Sequence, residues 1–207
     1  MSVSYSLPLA AARVEFTEKK SRFIGSIKPV ASEEEALGFL RLICEEHREA
    51  THNVYAYRIF RTGACRHSDD GEPSGTAGMP LLDVFIKHEI YDFCCVATRY
   101  FGGVKLGAGG LVRAYARCGA VAIETAGVGV MREMALCATE LPYNFYEQTK
   151  KILSAGGIQI SSEDFGAKVG IQFLITEESL PNLISKLQEL TAGTVEIQLI
   201  ERILTAG

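Results

Sequence analysis

Arg99-Tyr100-Phe101-Gly102-Gly103-Val104-Lys105-Leu106-Gly107-Ala108-Gly109-Gly110-Leu111-Val112-Arg113 is the most informative stretch of the chain. A strand ends at Arg99, a loop with five glycines follows, and a helix is predicted from about Leu111 to Thr125. Leu111, Tyr115, Cys118 and Ala122 form its apolar stripe. Glycines let a backbone approach a ligand and turn its N–H groups outward. A helix N-terminus adds unbonded donors and a partial positive charge. Lys105, Arg113 and Arg117 lie before this helix or in its first half, whereas its first acid is Glu124. Cations placed so oppose the helix dipole by roughly 0.3–1 kcal/mol each, and a bound anion reverses that sign. The alternative is that the glycines serve close strand–helix packing and the arginines meet acids elsewhere. The run is neither a Walker P-loop nor a GxGxxG fingerprint, so spacing alone names no ligand.

Upstream, Tyr91–Arg99 reads as a strand, and Ala77–His88 as a helix carrying Met79, Leu82, Phe85 and Ile86 inward. Pro80 is tolerable in a first turn, where the N–H has no helical partner. Before it comes His67-Ser68-Asp69-Asp70-Gly71-Glu72-Pro73-Ser74-Gly75-Thr76, which is turn chemistry. Asp69, Asp70 and Glu72 with the nearby hydroxyls have the chemistry to hold a phosphate-bound Mg²⁺. The favoured reading is a tight turn with Ser74 or Thr76 capping the next helix, so no metal site is assigned. His67 is a candidate general base, although a lone His beside a turn is more often a hydrogen-bonding residue. His47, His52 and His88 read as structural or solvated. The acidic turn and the cationic loop, with Arg99, Lys105 and Arg113, are expected to meet as one cleft. The assigned anion- or nucleic-acid-binding residues are Arg99, Tyr100, Phe101, Gly102, Gly103, Lys105, Gly107, Gly109, Gly110 and Arg113. His67, Asp69, Asp70, Glu72, Ser74 and Thr76 are expected to face them.

Further upstream, Ala12–Thr17 and Arg22–Val30 are predicted strands around the turn Glu18-Lys19-Lys20-Ser21. Ser32 caps a helix reaching about His47, with Glu33, Glu34 and Glu35 in its first turn. Asn53–Arg61 alternates as a strand, and a short one is expected at Cys65–Ser68. Downstream of Val130 the order is strand Ala135–Leu141, helix Tyr143–Ala155, strands Ile158–Ser162 and Lys168–Ile175, helix Glu177–Leu190 and strand Thr194–Glu201. That βαββαβ order is the ferredoxin-like unit. The fold class is therefore α+β, with two α/β two-layer domains at 1–130 and 131–207.

The chain has 207 residues, 47% hydrophobic and 22% charged, with net charge −4. The N-terminal part to Val130 is neutral, and the remainder holds six basic and ten acidic residues. A globally basic nucleic-acid footprint is thus excluded, and any such contact must use a local patch. The six cysteines have no CxxC or zinc-finger spacing, and reduced thiols are expected. Cys94 and Cys95, adjacent in a strand, should point to opposite faces. No signal peptide and no run of transmembrane length is read, which gives a cytoplasmic protein without a membrane partner. No cofactor is called for.

The His67–Gly78 and Arg99–Gly107 segments closely resemble the signatures of the IMPACT family, in particular its bacterial YigZ-type members, and the resemblance extends over nearly the whole chain. It implies a first domain similar to the second domain of a small-subunit ribosomal protein, a fold shared with GHMP kinases. The implied second domain is similar to the C-terminal domain of elongation factor G. Eukaryotic relatives regulate translation and carry an added N-terminal interaction domain that is not expected here, so their mechanism is not carried over. The resemblance implies a translation-associated regulatory or binding protein, contacting RNA, a ribosome or a protein partner in translation. The alternative is an enzyme acting on a nucleotide or other phosphorylated small molecule. The GHMP kinase phosphate loop is Ser-rich, and Lys105–Arg113 has no Ser or Thr, which lowers that alternative. A peptidase is disfavoured, since no nucleophile–base pair or metal-ligand spacing is present.

Overall fold

The structure is a computed structural model that describes residues 4–206. The chain divides into two compact units, Tyr5–Val130 and Met131 onward. In the first unit, β1 (Ser4–Pro8), β2 (Ala12–Glu18), β3 (Ser21–Pro29), α1 (Glu33–Glu46), β4 (His52–Arg58), β5 (Cys65–Ser68), α2 (Gly78–Lys87), β6 (Phe93–Tyr100) and α3 (Ala108–Ala126) follow in order. Strands β2-β3-β6-β4-β5 make an antiparallel sheet. β6 is buried along almost its whole length because both of its faces are covered. Cys95 and Ala97 join the core under α2 and α3 with Phe23, Phe85 and Tyr115. Cys94 and Val96 face the other way and pack with Ala36 and Ile43 of α1. Cys94 and Cys95 thus lie on opposite faces. Helices cover both sides of this sheet, one layer more than the two-layer expectation, since successive residues of β6 are apolar toward each face.

Local signals fix most boundaries. The Ser32 hydroxyl accepts from Glu35 N at the start of α1 (3.2 Å). The strand predicted as Asn53–Arg61 stops at Arg58, because Ile59 N turns to the Ala64 carbonyl. Helix α2 buries Gly78, Leu81, Leu82 and Phe85. Met79 and Ile86, predicted to point inward, are instead 43% and 41% exposed. The buried stripe runs i, i+3, i+4, i+7 from Gly78, and Met79 and Ile86 fall one residue outside it. Strand β1 had no sequence prediction. Tyr5 anchors it by stacking on Phe60 at 4.0 Å and donating its hydroxyl to Asp92.

The second unit comprises most of β7 (Val128–Leu141), then α4 (Tyr143–Ala155), β8 (Gln159–Phe165), β9 (Val169–Ile175), α5 (Leu180–Thr191) and β10 (Ile197–Ala206). The antiparallel strand order β10-β7-β9-β8 is that of the ferredoxin-like fold. Its core joins Cys137, Leu141, Val169, Ile171 and Phe173 of the sheet to Leu153 of α4 and Leu183 and Leu187 of α5. Helix α4 has the predicted limits. No helix among the described residues is long and apolar enough to cross a membrane.

Candidate functional site

The acidic turn and the glycine loop meet at one point. Glu72 is 8% exposed, and its Oε1 accepts from Arg99 Nη1 at 2.5 Å and from the Tyr115 hydroxyl at 2.8 Å. Arg99 comes from the end of β6, Tyr115 from the second turn of α3, and Glu72 from the turn between β5 and α2. A charge this buried requires such partners. Burial first, and then the neighbouring carboxylate, pushes the Tyr115 phenol well above its ordinary range. It is therefore a fixed donor. Arg99 Nη2 donates to Ser21 Oγ at 3.2 Å, and its Nε has no hydrogen-bond partner among the described residues.

A cleft of about 410 Å³ opens over this pair. Thr51, His52, Glu72, Arg99, Phe101 and Lys105 line it, with Gly107 and Ala108 at the start of α3. Thr51 Oγ1 accepts from Phe101 N (2.9 Å), and Thr51 N donates to the Arg99 carbonyl (2.8 Å), which fixes the root of the loop. Phe101 is 46% exposed, with the Arg99 guanidinium 5.4 Å from its ring centroid. Gly107 caps α3 at φ 75°, a left-handed value that a side chain resists. The helix consequently starts a turn earlier than predicted, and Gly109 and Gly110 belong to its first turn rather than to the loop. Lys105 is exposed and has no ion-pair partner among the described residues.

His52 completes the cleft. It is the cross-strand neighbour of Arg99 in the β4–β6 register. Its Nδ1 lies 2.7 Å from the Asp70 carbonyl. A carbonyl only accepts, so Nδ1 carries the proton. In the neutral ring Nε2 then presents its lone pair, 3.8 Å from Glu72 Oε2. Two acceptors side by side suit a donor supplied from the cleft.

Several expected cleft residues lie elsewhere. Helix α2 has no side-chain cap at Ala77, and Asp69 supplies one from eight residues upstream. Its carboxylate accepts from Gly75 N (2.8 Å), Ala77 N (3.1 Å) and Gly78 N (2.7 Å). Burial alone would raise this carboxyl, but these N–H groups win and hold it below the usual range. Asp70 Oδ2 accepts from Asn53 N at 2.5 Å, which ties the turn to β4. Thr76 Oγ1 donates to the Pro73 carbonyl (2.6 Å), and Ser74 is exposed. The His67 ring lies against the start of α2, beside Gly78. Tyr100 points to the opposite face of the sheet, with its hydroxyl 2.9 Å from His47 Nδ1. Arg113 lines a separate groove. The acidic turn thus meets the loop through Glu72, while its two aspartates organise the turn itself. Thr51, His52, Ser21 and Tyr115 were missed as site residues. The only signal for Tyr115 was its place in the apolar stripe, where a hydroxyl needs a partner. Among the described residues no three His, Cys, Asp or Glu side chains converge on a metal position.

The Impact N-terminal domain model matches residues 19–123, which include every residue of this cleft. The chain is 35% identical over 196 residues to the IMPACT family member YvyE of Bacillus subtilis, covering 94% of this chain and 90% of that one. It belongs to the IMPACT family. A second model, a domain of unknown function (DUF1949), matches residues 139–194 of this IMPACT family member. The family member YigZ of Escherichia coli is 29% identical over 203 residues, covering 96% and 98% of the two chains. Mouse protein IMPACT is 35% identical over 107 residues, which span 49% of this chain and 33% of the mouse protein. A crystal structure described as that of a hypothetical protein superposes with a TM-score of 0.61 at 27% identity, covering 97% and 98% of the two chains.

Proposed function

We propose that this protein is a translation-associated binding protein whose cleft holds a phosphate-bearing unit of RNA. The observation that carries the reading is Arg99, 5% exposed with an unpartnered Nε, in the wall of a cleft that also gathers Lys105 and the N-terminus of α3. Donors of that kind suit an anion. The volume of about 410 Å³ suits one small unit rather than a duplex. Phe101 offers an exposed ring on which a base can stack, an arrangement that single strands permit. The family's eukaryotic translation regulators support the setting, not the ligand.

A nucleoside 5′-monophosphate should therefore bind more tightly than the nucleoside, by isothermal calorimetry. Lys105→Ala should weaken the nucleotide about tenfold, the loss of roughly 1.4 kcal/mol. Nucleotide binding unchanged by Lys105→Ala would overturn the reading. The acceptor pair of His52 Nε2 and Glu72 Oε2 favours one second reading, a general base acting on a phosphorylated small molecule. Consumption of the bound nucleotide by the parent protein but not by His52→Gln would favour that enzyme.

A further inference from the structure

The structure separates the cations of this region into two groups. Lys105 belongs to the cleft, whereas Lys19, Arg113 and Arg117 line a neighbouring groove of about 190 Å³. Leu106 is a wall of both. We propose that Lys19, Lys20, Arg113 and Arg117 form a second phosphate-contact surface, which carries the backbone of single-stranded RNA onward from the unit held in the cleft. This inference rests on the reading of the cleft given above.

Charge is the first argument. Lys19, Lys20, Arg113 and Arg117 are all exposed. The only ion pair among them joins Arg117 to Glu18 at a loose 3.8 Å, and the Arg117 guanidinium also lies 4.4 Å from the Phe16 ring centroid. Among the described residues Lys19, Lys20 and Arg113 have no ion-pair partner, and Glu18 is the one acid among the residues that line the groove. Arg113 and Arg117 are one turn apart on the same face of α3, about 5–6 Å between Cβ atoms.

Backbone strain is the second argument. Lys19 and Lys20 form the two-residue turn between β2 and β3 with φ of 44° and 67°. Both angles are left-handed. Asn-Gly suits such a turn, and a side chain there costs about 1 kcal/mol or more per residue. A turn that only reversed the strand would be more stable without these lysines. At the expense of the turn, Lys19 adds a cation to the groove wall and Lys20 an exposed cation next to it in the chain.

The groove is also held in registry with the cleft. A Cβ on Gly102 would lie 1.9 Å from the Lys20 carbonyl oxygen, so the glycine loop is seated directly on the lysine turn. Gly102 N also donates to Ser21 Oγ at 3.3 Å. The turn, the loop and the start of α3 are therefore held as one piece, which fixes the groove against the cleft.

The test exploits the strained turn. Lys19→Asn combined with Lys20→Gly removes two cations while giving the turn its preferred residues, so the variant should be at least as stable as the parent. Binding of a nucleoside monophosphate and of a 5′-phosphorylated single-stranded RNA of about eight nucleotides is measured across a salt series. The parent should bind the oligonucleotide more tightly than the mononucleotide. The turn variant should keep its mononucleotide affinity and lose oligonucleotide affinity. Its log K against log salt slope should be shallower by about 1.4, two phosphate contacts at roughly 0.7 each. Arg113→Gln with Arg117→Gln should behave alike, which guards against an effect peculiar to the turn. Parent-like oligonucleotide affinity and salt slope in both variants overturns this proposal. Where mononucleotide binding and its dependence on Lys105 persist, the reading of the cleft survives that outcome. A parent that binds neither probe overturns both.

Discussion

Glu72 is the acid that the glycine loop meets, and what surrounds it decides what each nearby substitution should do. Glu72→Ala leaves the Arg99 guanidinium buried without its counter-charge, so a loss of about 3–5 kcal/mol in urea unfolding is expected. Tyr115→Phe removes one donor and leaves the ion pair, so its loss should be nearer 1–2 kcal/mol. Near-equal losses in the two variants would contradict this account. Asp69 predicts a pH dependence. Its carboxyl titrates lower in the folded chain than in the unfolded one. The stabilisation is therefore full above the unfolded value, near pH 4, and is lost as pH falls through the folded value. Asp69→Asn should lower stability at pH 7 and flatten the acid limb of the stability profile. An unchanged acid limb would show that the cap is not the source. That an acid would meet the loop was legible from the charges of the two segments. Which acid was not, because Asp69 is taken up by N–H groups of the folded turn and helix start and Asp70 by the N–H of Asn53 in β4. His52 was illegible for a related reason, since its place opposite Arg99 depends on a register between distant strands.

Among the elements, those whose signals lie within a few residues were legible, and those set by a distant neighbour were not. Ser32, Tyr143–Ala155 and the stripe Leu111, Tyr115, Cys118 and Ala122 carry their own instructions, and all stand in the structure as read. Strand β1 depends on Phe60 and Asp92, so nothing beside Pro8 announced it. The phase of α2 was misread at Met79 and Ile86 because its first buried residue is a glycine, which gives no apolar signal. Gly102 offers a test at this scale. Its neighbour is backbone, the Lys20 carbonyl, which cannot rotate away as a side chain tip would. Gly102→Ala should force apart the lysine turn and the loop, lowering the melting temperature and weakening binding in cleft and groove together. Gly103 makes the matched control, since open space surrounds the position where its Cβ would stand, and only its left-handed φ of 81° resists a side chain. Gly103→Asn should be far milder, because Asn tolerates that region. A Gly102→Ala protein as stable as Gly103→Asn would argue against a rigid seat.

The described residues of the two units bury apolar cores of unequal size, and the cysteines are placed to report on each. The first unit buries apolar side chains on both faces of its sheet, twenty in the larger cluster and seven under α1. The second buries eleven, on one face only. The βαββαβ order made the second unit readable from its sequence. The double cover of the first was not readable, because a continuous apolar run such as Phe93–Ala97 fits a buried strand without saying what covers each side. More apolar area withdrawn from water means a larger hydrophobic contribution, so the first unit should outlast the second in urea. Cys94, Cys95 and Cys118 are buried in the first unit and Cys137 in the second, whereas Cys44 and Cys65 are partly exposed. Burial pushes the Cys94 and Cys118 thiols up to about 12, so they resist thiol reagents until the structure opens. Without denaturant, brief labelling read by mass spectrometry should therefore find only Cys44 and Cys65. As urea rises, Cys137 should become reactive first, at a concentration where Cys95 and Cys118 remain protected, and all six should react at the end. If Cys137 appears together with Cys95 and Cys118 in one transition, the units unfold as a single cooperative body. If it appears after them, the comparison of core sizes fails.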